Sequence, residues 1–305
     1  MRRSNMTYKL YQLKFVSSHF GAGNLEFSES TFSADRLFSA LVLEAIKSGK
    51  LDEWMQLSQS DDFVLSDAFP YYFSPFLPKP IGYPTFDKLD QNKDAITLRQ
   101  EAKKTKKLQY IEYSMFSDFL NGESIENENY SVQMSVTKNR PNEDGGLFQV
   151  GIWLPSNESV SLYVIANQTP LFDDLMGSLQ YSGLGGKRTS GYGGFELQIL
   201  DLPTELAERL TLESKSPVMT LTTCLPIDGE LEMAMDGANY LLKKSSGFAF
   251  SQSVSENFRK QDLFRFKAGS TFQQTFKGQI VDVRPEDFPH PVWNYAKALF
   301  YRLEE

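Results

Sequence analysis

The sequence predicts an α+β fold divided into two units, on three observations. Apolar residues alternate at a period of two in several short runs, and in two places such a run is followed by a segment with helical spacing. A polar stretch at residues 201–217, "DLPTELAERLTLESKSP", then interrupts the pattern. The 305 residues suffice for two domains that each bury a core.

Along residues 7–15, Tyr11, Leu13 and Phe15 fall on one face and Gln12 and Lys14 on the other, the period of a half-buried strand. After the glycine-bearing turn "SSHFGAGN", Ser33 is placed to N-cap a helix. Its apolar residues Leu37, Phe38, Leu41, Val42, Ala45 and Ile46 share one face, and Gly49 is placed to end it. The stretch "FPYYFSPFLPKPIGYP" at 69–84 has five prolines, which lack amide donors, and is expected to be irregular but packed. Residues 98–120 look helical with lysines outward, followed by a polar surface loop. Val132, Met134 and Val136, then Phe148, Val150 and Ile152, make two alternating runs around "KNRPNEDGG", a hairpin with a long basic tip.

"SLYVIA" (161–166) reads as a buried strand, Leu171 to Leu179 as a short amphipathic helix, and Phe195, Leu197 and Ile199 as the next strand. Strand, helix, strands, helix, strand is the order of a ferredoxin-like sandwich. The first unit is therefore assigned to residues 1–200, with an insertion and hairpin at about 85–152, and the second to 201–305. The second begins with the strand "VMTLTTCL", continues with a helix around Leu231 to Leu242, and adds strands between 246 and 283. "KRTSGYGGF" at 187 and "KKSSGFAF" at 243 echo each other and admit an internal duplication.

Composition excludes several classes. There is no apolar run of membrane-spanning length, and the alternating N-terminus has no signal core, so a cytoplasmic protein without membrane contact is expected. One cysteine, Cys224, excludes an internal disulfide, and with two histidines, His19 and His290, there is no zinc set. A net charge of −8 opposes nucleic-acid binding through the overall field, leaving that task to local patches such as "KKTKK" at 103–107 and "FRKQDLFRFK" at 258–267, which are otherwise ordinary solvated faces.

The most informative stretch is "SGLGGKRTSGYGGFEL" at 182–197. A phosphate-binding P-loop fails because Tyr181 and Arg188 stand where glycine and a hydroxyl are needed; a dinucleotide fingerprint fails because the loop precedes a strand. No cofactor is implied. Glycines let backbone amides approach a ligand, Lys187 and Arg188 add charge, Ser182, Thr189 and Ser190 add hydrogen bonds, and Tyr192 can stack on a base. That suits a sugar-phosphate backbone. The alternative is a tight loop packed on its own sheet; the clustered cations and hydroxyls favour the ligand.

"GLGGKRTSGYGGFEL" resembles the glycine-rich signature of the repeat-associated mysterious proteins, the RNA-binding subunits of CRISPR effector complexes. Within that superfamily, "HFGAGN", "TFSADRLFSALVLEAI", "FLPKPIGYP", "VTKNRPNEDGGLFQV", "KSSGFAFS", "AGSTF" and "HPVWNYAKALF" look like the family of fourth subunits of the type III-A Csm complex, matching in order from about residue 6 to the C-terminus. The resemblance implies two ferredoxin-like, RRM-like domains and no catalysis. It implies a cap that holds the repeat-derived 5′ tag of crRNA and joins the large signalling subunit to the first backbone subunit. A hairpin thumb would displace a nucleotide where tag meets guide, near the target RNA. Carried onto this chain, the RNA site comprises His19, Gly21, Gly23, Ser33 and Arg36, and Gly183, Gly185, Gly186, Lys187, Arg188, Thr189, Ser190, Gly191 and Tyr192 of the loop. Val136, Thr137, Lys138, Asn139 and Arg140 would lie on the thumb, and Lys243, Lys244, Ser245, Ser246, Gly247 and Phe248 would form the second echo.

Two residue-level readings stay open beside this. The helix N-terminus at Ser33 offers free amides to a phosphate with Arg36 in its first turn, or Ser33 is simply a cap and Arg36 a surface cation. Lys138 and Arg140 contact RNA, or they only solubilise a hairpin tip. The rival function is a metal-independent endoribonuclease in which His19, Tyr192 and Lys187 supply base, acid and cation; His19 has no second histidine near it in sequence. A protein-interaction scaffold would use aromatics such as Tyr71, Tyr72 and Phe73 but leaves the glycine loop unexplained.

Overall fold

The computed structural model describes residues 7–21, 23–85, 95–125, 132–138, 149–211, 213–249, 251 and 258–303. Up to residue 201 the elements are β1 (Tyr8–Phe15), α1 (Ala34–Lys47), α2 (Leu51–Gln59), β2 (Phe69–Tyr72), β3 (Ser74–Pro78), α3 (Ala95–Lys107), β4 (Tyr110–Glu112), α4 (Phe116–Leu120), β5 (Val132–Lys138), β6 (Gln149–Pro155), β7 (Val160–Asn167), α5 (Pro170–Ser182) and β8 (Phe195–Asp201). Beyond it come α6 (Thr204–Arg209), β9 (Leu210–Thr211), β10 (Val218–Thr220), α7 (Asp228–Met235), β11 (Leu242–Ser245), β12 (Leu263–Phe266), β13 (Thr271–Phe272), β14 (Gly278–Asp282), β15 (Trp293–Lys297) and β16 (Phe300–Arg302).

A six-stranded antiparallel sheet, in the order β4-β3-β2-β7-β1-β8, organises the first half. Central β1 pairs with β7 on one side (Leu10↔Ile165) and with β8 on the other (Tyr11↔Ile199). One sheet face carries Tyr11, Leu13, Phe15, Leu162 and Val164 against the apolar faces of α1 and α5. The other face, with Leu10, Tyr163 and Ile165, is covered by Met219, Leu221, Leu299 and Tyr301 from the second half. All eight residues of β7 are consequently buried. β1 departs from the expected half-exposure for the same reason: Gln12 is buried and its amide donates to Ser161 Oγ at 2.8 Å. The second half builds a four-stranded sheet, β13-β10-β16-β9, and two ribbons, β11-β12 and β14-β15. Its own core is aromatic, with Phe266, Phe272, Phe276 and Phe300 edge to face.

Several expectations are corrected. The proline-rich stretch forms β2 and β3 rather than irregular chain. Phe73, at φ 59°, turns between them, and their ladder is cut to the pairs Tyr71↔Pro75 and Tyr72↔Ser74, so few amides are demanded of it. The helix expected over 98–120 is three elements: α3 ends at Lys107, β4 joins the sheet edge beside β3, and α4 follows. In the second half the strand at "VMTLTTCL" is only Val218–Thr220, and the helix sits earlier, at Asp228–Met235. Gly237 at φ 62° turns the chain away toward β11, where the second half of the expected helix should have been. The polar segment at 201–217 contains α6 and β9, so it is structured, and the core it was expected to divide is continuous across it.

Candidate nucleic-acid interface

The glycine loop leaves α5 at Ser182 and enters β8 at Phe195, and half of it is a clamp on the turn after β1. Buried Leu184 anchors it: Leu184 N donates to Gly193 O at 2.8 Å, Gly193 N to Ser17 O at 2.9 Å, and Ser18 Oγ to Leu184 O at 3.1 Å. Gly186 N donates to His19 O at 2.9 Å. A Cβ at Gly185 (φ 107°) would lie 2.7 Å from His19 O, and one at Gly193 (φ 88°) 2.4 Å from Leu184 O, so neither position admits a side chain. The inner glycines therefore bring the loop against the protein's own backbone. The outer part differs: Lys187 turns the chain at φ 57°, a short 3-10 turn spans Arg188–Ser190, and Arg188, Thr189, Ser190 and Gly191 are exposed with Tyr192 half-buried beside them. Arg188 has no ion pair among the described residues.

His19 is the point where three distant segments meet. Its carbonyl holds the loop, and its buried imidazole donates from Nδ1 to Gly151 O of β6 at 2.7 Å. Because a carbonyl only accepts, this bond puts the ring proton on Nδ1 and leaves Nε2 as an acceptor. Gly21 lies against that edge, 3.2 Å from Nε2 to where its Cβ would be. Arg36 closes the group by donating from Nη2 to Gly21 O at 2.9 Å, and its Nη1 is buried without a hydrogen-bond partner among the described residues. The β5-β6 hairpin, in register from Val132↔Pro155 to Lys138↔Gln149, is rooted here through the Ser18↔Trp153 bridge. His19, Gly21, Arg36, the glycine loop and the hairpin base thus form one locality. Val136, Thr137 and Lys138 follow β5 outward, while Asn139 and Arg140 lie outside the described residues.

The α1 N-terminus is not the open anion site expected. Asp67 Oδ1 accepts from Ala34 N at 2.8 Å, and Ser33 turns its hydroxyl to Asp35 instead of capping. Asp67 also accepts from Thr223 N and Thr223 Oγ1, and burial raises its carboxyl above the usual range. A phosphate would meet carboxylates there, so Ser33 offers no free amide. Gly23, at φ 99°, stands apart, with nothing near its Cβ position.

The second echo does not repeat the first. Lys243, Lys244 and Ser245 lie in strand β11 rather than in a turn, which removes the structural basis for a duplication. Lys243 pairs with Glu29 at 3.1 Å, and Lys244 pairs with Asp262 at 2.8 Å while lying over the Phe264 ring. Ser245 Oγ accepts from Asn294, Ser246 follows the strand, Gly247 turns at φ 122°, and Phe248 is 64% exposed. The run "FRKQDLFRFK" is likewise no uniform cationic face. Arg265 is 1% exposed and bonds Asp35 at 3.1 Å and Tyr295 O at 3.1 Å. Burial works to raise the Asp35 carboxyl, but Arg265, then the Ser33 hydroxyl, Lys243 and Arg36, hold it below its usual range. Asp35, Asp67, Thr223 and Arg265 lock α1 to the second half and went unread in the sequence; the only signal was a cation alternating with phenylalanines in "LFRF". His290 lies elsewhere, stacked on Phe288 and exposed. No group of three or more His, Cys, Asp or Glu among the described residues gathers as a metal site, and none of their helices is long and apolar enough to cross a membrane.

This geometry has known counterparts. A family model described as the CRISPR Csm4 C-terminal domain matches residues 213–303. A Streptococcus thermophilus protein, "CRISPR system Cms protein Csm4", is 58% identical over 299 residues, covering 98% of this chain and all of the relative. A Mycobacterium tuberculosis protein of the same name is 32% identical, covering 98% of this chain and 99% of the relative. In the crystal structure of a Csm1-Csm4 cassette with AMPPNP, one chain matches with a TM-score of 0.63 at 14% identity, covering 97% of this chain and 98% of the other. In that of a Csm3-Csm4 subcomplex from a type III-A interference complex, one chain matches with a TM-score of 0.60 at 17% identity, covering 97% and 100%. At these identities the two structures attest the fold.

Proposed function

The chain belongs to the Csm4 family of CRISPR proteins, and from that premise we propose that it is the non-catalytic RNA-holding subunit of a type III-A interference complex. It grips the repeat-derived 5′ tag of crRNA and bridges the large signalling subunit to a backbone subunit, the two kinds of partner with which its structural neighbours were crystallised. The observation that carries the reading is the convergence on His19. One buried residue fixes an exposed cationic loop, the root of a long hairpin and the Arg36 side chain in a single patch. Arg188 and Tyr192 on the outer loop supply charge and a stacking surface, the two elements of single-strand binding.

The strand order β2-β7-β1-β8, with α1 and α5 as its connecting helices, is that of a ferredoxin-like unit and supports an RRM-like reading of residues 1–200, with the β5-β6 hairpin as the thumb. Residues 201–305 form the second unit. His19 acts here as a positioning residue: its Nδ1 is committed to Gly151, and its ring is buried. The cytoplasm is the setting of this complex, with the target RNA passing the thumb. Ultraviolet crosslinking of tag-bearing crRNA to the full chain, read by mass spectrometry, tests the placement. Crosslinks are expected in peptides containing Tyr192 and residues 17–23; crosslinks confined to other surfaces would overturn it.

A further inference from the structure

A cleft of about 260 Å³ lies between the two halves, beside the α1 N-terminus. Its floor is Ser33 and the Asp67 segment, its walls are the end of β3, the α3–β4 junction and β11, and four lysines line it: Lys79, Lys106, Lys243 and Lys267. The one lining carboxylate, Asp67, has its oxygens occupied by Ala34 and Thr223. Lys243 is paired with Glu29, whereas Lys79, Lys106 and Lys267 have no ion pair among the described residues.

The lysines are held there by backbone. Lys79 N donates to Gln109 O, Ile81 N to Gly269 O, and Thr271 Oγ1 to Ile81 O, so the Lys79 segment is stitched to the strand that follows Lys267. A Cβ at Gly269 would come 2.7 Å from Lys79 O, which shows how closely the two segments pass. Lys267 is fixed in turn by its amide on Leu241 O. Like charges gathered without a counter-ion destabilise one another, and burial followed by Lys267 pushes the Lys79 ammonium below its ordinary range. An anion entering the cleft relieves both effects.

We infer that this cleft is a second RNA contact, in which Lys79, Lys106 and Lys267 bind the phosphate of one nucleotide while Leu241 and Tyr110 flank its base or sugar. The inference rests on the RNA-holding reading above. It is favoured over a free anion by continuity: Ser33 and Lys243 line the cleft, and three residues beyond Ser33 Arg36 holds Gly21 beside His19. Cations thus run from Arg188 past Arg36 to Lys267, a path for a polyanion rather than a pocket for an isolated ion.

The test uses the full chain and tag-bearing crRNA. Lys267→Ala is expected to weaken binding roughly tenfold, the scale of one charged hydrogen bond, and to reduce the salt slope by about 0.7, with Lys267→Arg restoring both. In a lysine-acetylation footprint, RNA is expected to protect Lys79, Lys106 and Lys267, and millimolar inorganic phosphate or AMP is not. Protection by phosphate or AMP as complete as that by RNA would make the cleft a general anion site and overturn the inference. So would unchanged binding and slope in both Lys267→Ala and Lys106→Ala. If at the same time Lys187→Ala/Arg188→Ala weakens binding, the cleft falls and the proposed function stands; absence of RNA binding by the wild type removes both.

Discussion

At the scale of residues, the site is organised by backbone-to-backbone fit, and charge is arranged around it. Gly185 and Gly194 are both loop glycines, but only Gly185 meets a wall, His19 O at 2.7 Å, whereas nothing lies near the Cβ position of Gly194. Gly185→Ala is expected to lose roughly 1–3 kcal/mol in urea titrations, and Gly194→Ala less than about 0.5 kcal/mol; equal losses would remove the clamp. The Asp35–Arg265 pair makes a second prediction. Asp35→Asn leaves a buried guanidinium uncompensated and should cost about 3–5 kcal/mol at neutral pH. Because the folded carboxyl is held below its unfolded value, its contribution is present above the unfolded pKa and is lost as pH falls through the folded one. The variant should therefore lose less stability on acidification than the wild type does, as followed by circular dichroism. Neither Asp35 with Arg265 nor Asp67 with Thr223 was legible in the sequence, because each pair joins residues more than 150 positions apart and local pattern carries no trace of such a bond.

At the scale of elements, legibility followed burial pattern. β1, α1, β7, α5 and β8 were readable because each faces one core with a clean period, and they are the elements that frame His19 and the glycine loop. β2 and β3 were missed because propensity forbids proline in strands while the short ladder here tolerates it, and β4 was missed because three edge residues sit between two helical stretches. The end of α2 illustrates a device invisible to pattern. Lys297, from β15, donates to Ser58 O at 3.0 Å, Phe63 O at 2.6 Å and Ser60 O, satisfying carbonyls that the helix leaves open. Lys297→Met should lower unfolding free energy by about 3 kcal/mol at pH 7. Burial pushes this ammonium down to about 8, so between that pH and its unfolded value of 10.5 the unfolded chain binds more protons. Wild-type stability should consequently gain on that of Lys297→Met as pH rises through this window, as followed by denaturant midpoints.

At the scale of the whole molecule, a chain of net charge −8 presents its cations along one path while a shared core makes its halves one folding unit. The acidic surface limits non-specific RNA binding, and the local path supplies specific attraction. The most direct measurement of this claim is the affinity of tag-bearing crRNA across a salt series, by fluorescence anisotropy, for the wild type and Lys187→Ala/Arg188→Ala. The expected result is weaker binding with a slope shallower by about 0.7 for each phosphate that the variant no longer neutralises. Unchanged affinity and slope would contradict RNA binding at the glycine loop and leave it a clamp on His19 alone.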